Sequence, residues 1–89
     1  MLPLPAELTR AQAGACLQTL TTGLQREAAG LLVIDATALA RFDSAALAVL
    51  LEVRRQALAV GKTIAIRGMP ERLRELAALY GIAALLPAA

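Results

Sequence analysis

Histidine and tryptophan are absent from this chain, and cysteine, tyrosine and phenylalanine occur once each. The missing histidine removes the side chain whose ordinary pKa lies nearest neutrality, the commonest general base and the commonest metal ligand. A single cysteine, Cys16, excludes an internal disulfide and a cysteine-rich zinc site. It fits a reducing compartment or a small core residue. No lysine, arginine or histidine stands within a helical turn of it, Arg10 being more distant, so nothing nearby activates the thiol. The six glycines form neither G-x-G-x-x-G nor a P-loop. Asp35 and Asp43 are a formal carboxylate pair, but the plainer reading has Asp35 closing a strand and Asp43 capping a helix. No nucleophile–base constellation remains, so the chain reads as a non-enzyme with no cofactor and no metal.

Charge of one sign is scarce too. The net charge is +2 with pI near 9.3. Arg54–Arg55 is a lone basic pair, and Arg72 and Arg74 are followed by Glu75. With aromatics at 2%, neither a basic face nor stacking rings exist to hold a nucleic acid. No apolar run approaches the ~20 residues of a spanning helix: the stretch from Leu76 to Ala89 is broken by Gly81 and Pro87. Hence no direct membrane insertion is expected. The first residues lack a basic segment followed by an apolar one, so no secretory signal is read and a cytoplasmic location is expected.

What is present is aliphatic. Hydrophobic residues make up 58% of 89 residues, enough apolar surface to offset the entropy of folding as a single domain, residues 1–89. The pattern is three strand-then-helix units. Met1–Ala6 alternates apolar residues with Pro3 and Pro5, which predicts a short edge or irregular strand. Thr9 with Gln12 predicts a capping box. Ala13, Leu17, Leu20, Leu24 and Ala28 follow at helical spacing, with Gly30 as the stop. Leu31–Ile34 is an unbroken aliphatic run closed by Asp35, the mark of a strand covered on both faces or central in its sheet. A loop over 36–42 precedes a second helix from Asp43 or Ser44 to about Val60, stopped by Gly61. Lys62–Arg67 is a third strand, with Ile64 and Ile66 on one face. Pro70 stands as a first helical residue. Leu73, Leu76, Ala77 and Tyr80 mark a third helix, stopped by Gly81. The apolar tail from Ile82 should pack back onto the domain. Alternating strands and helices imply an α/β fold: a mostly parallel short sheet packed with about three helices.

One segment is sharper than the rest: Val33-Ile34-Asp35, then Arg41-Phe42-Asp43-Ser44-Ala45-Ala46-Leu47. With Asp43 as N-cap, its carboxylate accepts from first-turn amides and opposes the positive helix end. Phe42 and Leu47 then occupy the two positions of a hydrophobic staple. Ser44 falls at the exposed helix start. It is either a local helix-start preference, or a phosphorylation or docking site. The helix carries two apolar stripes. Ala46, Leu50, Val53, Ala57 and Val60 face the core, while Leu47, Leu51 and Leu58, interrupted by Arg54, form a second. One buried face suffices on a one-sheet domain, so the second stripe packs on a neighbouring helix or meets a partner.

On these residues the sequence resembles the STAS-domain family, in which a strand ending in Asp is followed by a loop and then Asp-Ser-(Ser/Thr/Ala)-Gly-Leu at a helix start. Here those positions read Asp35 and Asp43-Ser44-Ala45-Ala46-Leu47. Pro5-Ala6-Glu7-Leu8-Thr9 is similar to the family's early segment, and Gly61-Lys62 to Tyr80-Gly81-Ile82 is similar to its last strand and helix. Within the family the short Leu-Pro-Ala-Glu-Leu-Thr start and the Gly-Met-Pro-Glu-Arg-Leu-Arg ending resemble the STAS subunit of the Mla system. That system is an ABC complex that moves phospholipids between the membranes of Gram-negative bacteria. Ala46 stands where the family usually has glycine, and Ala45 where a second hydroxyl is common.

The resemblance implies a small STAS-like α/β domain with a shortened N-terminus. It implies a cytoplasmic protein bound to the ABC-type ATPase subunit of the lipid transporter, peripheral to the inner membrane through that partner. The expected contact surface is the start and exposed side of the second helix: Phe42, Asp43, Ser44, Leu47 and Leu51, with Arg54 and Arg55 as rim charges. Leu47 and Ser44 are the expected anchors. The rival reading is an anti-sigma-factor antagonist switched by phosphorylation of Ser44. A third, a small-ligand module using a pocket above Asp35, lacks a polar cluster to specify a ligand.

Overall fold

The aliphatic run at the middle of the chain becomes the middle of the sheet. The computed structural model describes all residues, Met1–Ala89, and its main sheet has three parallel strands in the order β1-β3-β5. These are β1 (Leu2–Pro3), β3 (Leu31–Asp35) and β5 (Thr63–Arg67). Leu32 lies opposite Ile64, and Ile34 between Leu2 and Ile66. Of the two alternatives for the central run, the central position holds and coverage of both faces does not. Leu32 and Ile34 are fully buried, whereas Leu31 is 49% exposed and Val33 and Asp35 are half-buried.

The edges are handled differently. Leu4 donates its amide to Asp35 O at 2.7 Å, so Pro3 and Pro5 turn to the outer side, where proline has no N–H to offer. At the other edge the tail returns, as expected. Leu86 is buried and Ala88 forms a parallel bridge with Ile66. A second, two-stranded parallel sheet pairs β2 (Glu7–Leu8) with β4 (Arg41–Phe42). It lies partly in the segment expected to be a loop, and its two-residue strands are too short to leave a period in the sequence.

Helix α1 runs Arg10–Arg26, α2 Ala45–Ala59 and α3 Glu71–Leu79, followed by a 3-10 turn over Ala83–Leu85. The α1 start is as predicted: Gln12 Oε1 accepts from the Thr9 backbone N–H at 2.9 Å and from its hydroxyl at 2.6 Å. Its end is not at Gly30. The chain turns extended at Glu27, and the Lys62 ammonium donates to the Leu24 and Glu27 carbonyls, a cation at the negative end of the helix. Ala28 thus falls outside the helix and is exposed.

The other two helices end as the sequence predicts, in Schellman turns. Lys62 N–H reaches Ala57 O at 2.8 Å and Gly61 N–H reaches Leu58 O at 3.1 Å. Ile82 to Ala77 and Gly81 to Ala78 repeat the pattern at 2.9 and 3.0 Å. Gly61 and Gly81 adopt φ of +76° and +73°, the left-handed region in which a side chain costs ~1–2 kcal/mol. Pro70 precedes α3 as its cap rather than opening it.

One aliphatic core joins these elements. From α1 come Cys16, Leu20 and Leu24, and from α2 Ala46, Leu47, Val49, Leu50, Val53 and Ala57. The α3 residues Leu73 and Ala77 and the tail residue Leu86 complete it. Val60 and Tyr80, expected on apolar stripes, are 63% and 58% exposed, because both helices end one residue before them. Helices α1 and α2 pack together, tied by the Thr21 hydroxyl donating to Gln56 Oε1 at 2.8 Å.

Candidate functional site

The start of α2 is built around one carboxylate. Ser44 already has helical dihedrals, φ −63° and ψ −16°, and its hydroxyl makes no capping hydrogen bond. The capping is done by Asp43, whose Oδ1 accepts from Ala45 N–H at 2.8 Å. Its Oδ2 accepts from the backbone N–H of Arg10, the first residue of α1, at 3.2 Å. One carboxylate therefore ties together the amino-terminal ends of two helices, each presenting the positive end of its dipole. This leaves the Ser44 hydroxyl exposed and unengaged.

Around this point lies a polar rim. Arg41 approaches Glu7 at 4.0 Å, and Glu7 also accepts from Gln12 Nε2 at 2.7 Å. Phe42 is half-buried against the core, and the Arg72 guanidinium lies 5.7 Å from its ring centroid, a cation–π contact. Sequence reasoning missed Arg72 and the Arg10 amide. Each lies about thirty positions from its partner, and no periodicity or motif links them.

The remaining candidates divide. Leu47, expected as an exposed anchor, is 2% exposed. It belongs to the core, so it presents no surface to a partner, and the correction follows from helix geometry. Position 47 lies one position from Ala46 and three from Leu50, close enough to the buried face to be drawn in. Leu51 and Arg54 are half-buried on the outer side of α2. Arg55 is exposed and holds Glu52 in a fork, with Nε to Oε2 at 2.9 Å and Nη2 to Oε1 at 2.5 Å. That pairing lowers the Glu52 pKa and raises that of Arg55.

Asp35 is engaged locally. Its Oδ1 accepts from the Thr37 hydroxyl at 2.7 Å and the Thr37 N–H at 3.0 Å. These bonds, the hydroxyl's first, hold its pKa below the usual carboxylate range. None of the four principal clefts includes Asp35. A cleft of about 410 Å³ between the amino-terminal segment and α1 is mainly apolar and reaches Cys16. Burial raises the pKa of that thiol, so it stays protonated, as a core cysteine should. No group of three or more histidine, cysteine, aspartate or glutamate side chains converges as a metal site.

The chain is thus a parallel α/β domain whose second helix starts at an exposed, carboxylate-pinned turn. The family model described as Mlab, STAS domain matches residues 1–87. The chain belongs to that family. No curated protein matches it. No helix is long and apolar enough to cross a membrane.

Proposed function

We propose that this chain is a non-catalytic cytoplasmic subunit that binds and supports the ATPase of an inner-membrane phospholipid-transport ABC complex of the Mla type. Through it the chain would contribute to outer-membrane lipid asymmetry. The observation that carries this reading is the Mlab-type STAS family match over nearly the whole chain. The proposed contact surface is the start and outer side of α2. Phe42 supplies a half-buried apolar platform under Arg72. Asp43 fixes the backbone, and Ser44 presents a free hydroxyl within packing distance of an incoming surface. Leu51 and Arg54 extend the surface along the helix, with Arg55 at its rim. With Leu47 in the core, Ser44 and Phe42 become the central contacts. Binding energy concentrates in a few desolvated contacts, so alterations here should outweigh those at the rim.

Affinity capture of the tagged chain from its native host, with partners identified by mass spectrometry, tests this. Recovery of an ABC-type ATPase with its membrane subunit is the expected result. The accessible, unbonded hydroxyl of Ser44 favours one alternative, an anti-sigma-factor antagonist switched by phosphorylation there. Recovery of a serine kinase instead, with release on Ser44 phosphorylation, would replace the transporter reading with that one.

A further inference from the structure

We infer that the helix-free face of the main sheet joins two copies of this chain, sheet on sheet, about a twofold axis that runs along the strands between β3 and β5. The contact uses none of the α2 surface and does not require the ATPase assignment.

The face is defined by what packs on the other side. The sheet grows in one direction, from β1 to β3 to β5 and on to the tail bridged at Ile66. Right-handed crossovers that all step the same way set all three helices over one face. The core agrees: Leu32, Ile34, Ile64 and Ile66 share one cluster with the buried residues of α1, α2 and α3. Successive residues of a strand point to opposite faces, so Leu31, Val33 and Asp35 of β3 and Thr63, Ala65 and Arg67 of β5 form the other one. Neither Leu31, Val33 nor Ala65 belongs to the core cluster or packs against it, and Leu31 is 49% exposed. Parallel sheets occur almost only with both faces covered. Here the chain itself covers one.

The occupant is read from the strand register. Leu31 lies opposite Thr63, Val33 opposite Ala65 and Asp35 opposite Arg67. Each row sets a larger or acidic residue on β3 against a smaller or basic one on β5. A twofold axis along the strands lays β3 of one copy over β5 of the other. Val33 then meets the second copy's Ala65, Leu31 meets its Thr63, and Asp35 meets its Arg67. Each contact is made twice, as an isologous interface requires. Stacked sheets keep their strands within about 30° of each other, so these pairings suit the common aligned packing.

Within one chain the two charges keep capacity for a partner. Asp35 takes both Thr37 hydrogen bonds on Oδ1, and its Oδ2 accepts none. Arg67 reaches only the Met1 sulfur, at 3.8 Å, and forms no ion pair with its cross-strand neighbour. An unrelated partner would have to bring an acid, a base and a matching relief in this register, whereas a second copy brings all three by symmetry. Three strands of five residues span only about 14 by 17 Å, well below the ~800 Å² per partner of a standard interface. The dimer is therefore a weak one, formed at high micromolar concentration.

The test is an NMR dilution series of the isotope-labelled 89-residue chain, with sedimentation equilibrium to give the mass. The expected result is a monomer–dimer equilibrium with concentration-dependent shifts centred on Val33, Asp35, Ala65 and Arg67. Arg67→Glu sets like charges opposite each other twice and should weaken association at least about tenfold. Asp35→Lys should do the same. An equimolar mixture of the two variants has opposite charges at both contacts again, so association should return. Arg67 is exposed, and the spectrum of each dilute variant verifies its fold. Should Asp35→Lys not fold, Asp35→Asn keeps an acceptor for Thr37, and mixed with Arg67→Glu it should restore one of the two pairs. A chain still monomeric at ~1 mM, shifts centred on the helices instead of the sheet, or a mixture no tighter than Arg67→Glu alone overturns the inference. Affinity capture of the ATPase is read independently, so either proposal can fail alone.

Discussion

The two ends of α2 solve the same problem by opposite means. Both leave backbone groups without helical partners. At the amino-terminal end a charged side chain does the work: Asp43 accepts from Ala45 and Arg10, and the surroundings are polar. At the carboxyl-terminal end the backbone closes on itself through Gly61, with Leu58 and Val60 exposed beside it. The difference teaches where function can be placed cheaply. Because Asp43 completes the cap, Ser44 has no structural duty and is free to serve recognition. The Schellman turn closes through backbone groups alone, with glycine at its positive-φ position, and Leu58 lies outside the core.

The largest expected effect removes the part common to both ends. Leu50 is fully buried at the middle of α2, and Leu50→Ala should cost ~2–5 kcal/mol in urea unfolding, loosening both ends of the helix at once. Next come substitutions that separate the two ends. Gly61→Ala forces a side chain into φ +76° and should cost ~1–2 kcal/mol. With each kcal/mol shifting the melting temperature of so small a domain by about 4–8 °C, calorimetry resolves it, and ATPase capture should survive at temperatures where the variant is folded. Asp43→Ala should cost ~1 kcal/mol and, unlike Gly61→Ala, should weaken capture in the folded protein, because it loosens the start of α2. Equal effects of the two on capture would dissolve the contrast between the ends.

The smallest effect on stability is expected from pH. Asp35, Glu27 and Glu52 have folded-state pKa values below their ordinary ones. The stability they contribute is therefore present above the unfolded carboxylate pKa and is lost as pH falls through the lower folded values. With no histidine to titrate, urea midpoints should stay level between about pH 5 and 7 and fall only below about pH 4. All three residues are only half-buried and their carboxylates remain solvent-screened, so the fall should be shallow. A clear inflection near pH 6.5, the histidine range, would show that a group outside this set controls stability.

What was legible in the sequence follows from locality. The Thr9–Gln12 box, the Gly61 and Gly81 stops and the central strand at Leu31–Asp35 are set by residues within a few positions of one another, and the structure has each of them. The end of α1 was misread at Gly30 because the group that closes it, Lys62, lies 35 residues from Glu27. The β2–β4 pair was missed because two-residue strands carry no alternation. In the site, Asp43 and Ser44 were legible from the helix-start pattern. The burial of Leu47 was not, because its position borders both stripes and only the packing of α2 decides between them. Arg72 over Phe42 and Arg10 at Asp43 depend on tertiary contact alone.

The claim that the start of α2 is the docking surface is tested most directly by the affinity of the purified chain for the captured ATPase, with Ser44→Glu beside the unaltered protein. Ser44 is exposed and unbonded, so the substitution should change stability by less than about 0.5 kcal/mol. Yet it should weaken binding at least about tenfold, because a charge is forced into a packed contact beside Asp43. Binding of Ser44→Glu as tight as that of the unaltered chain would contradict the account and move the interface elsewhere on the domain.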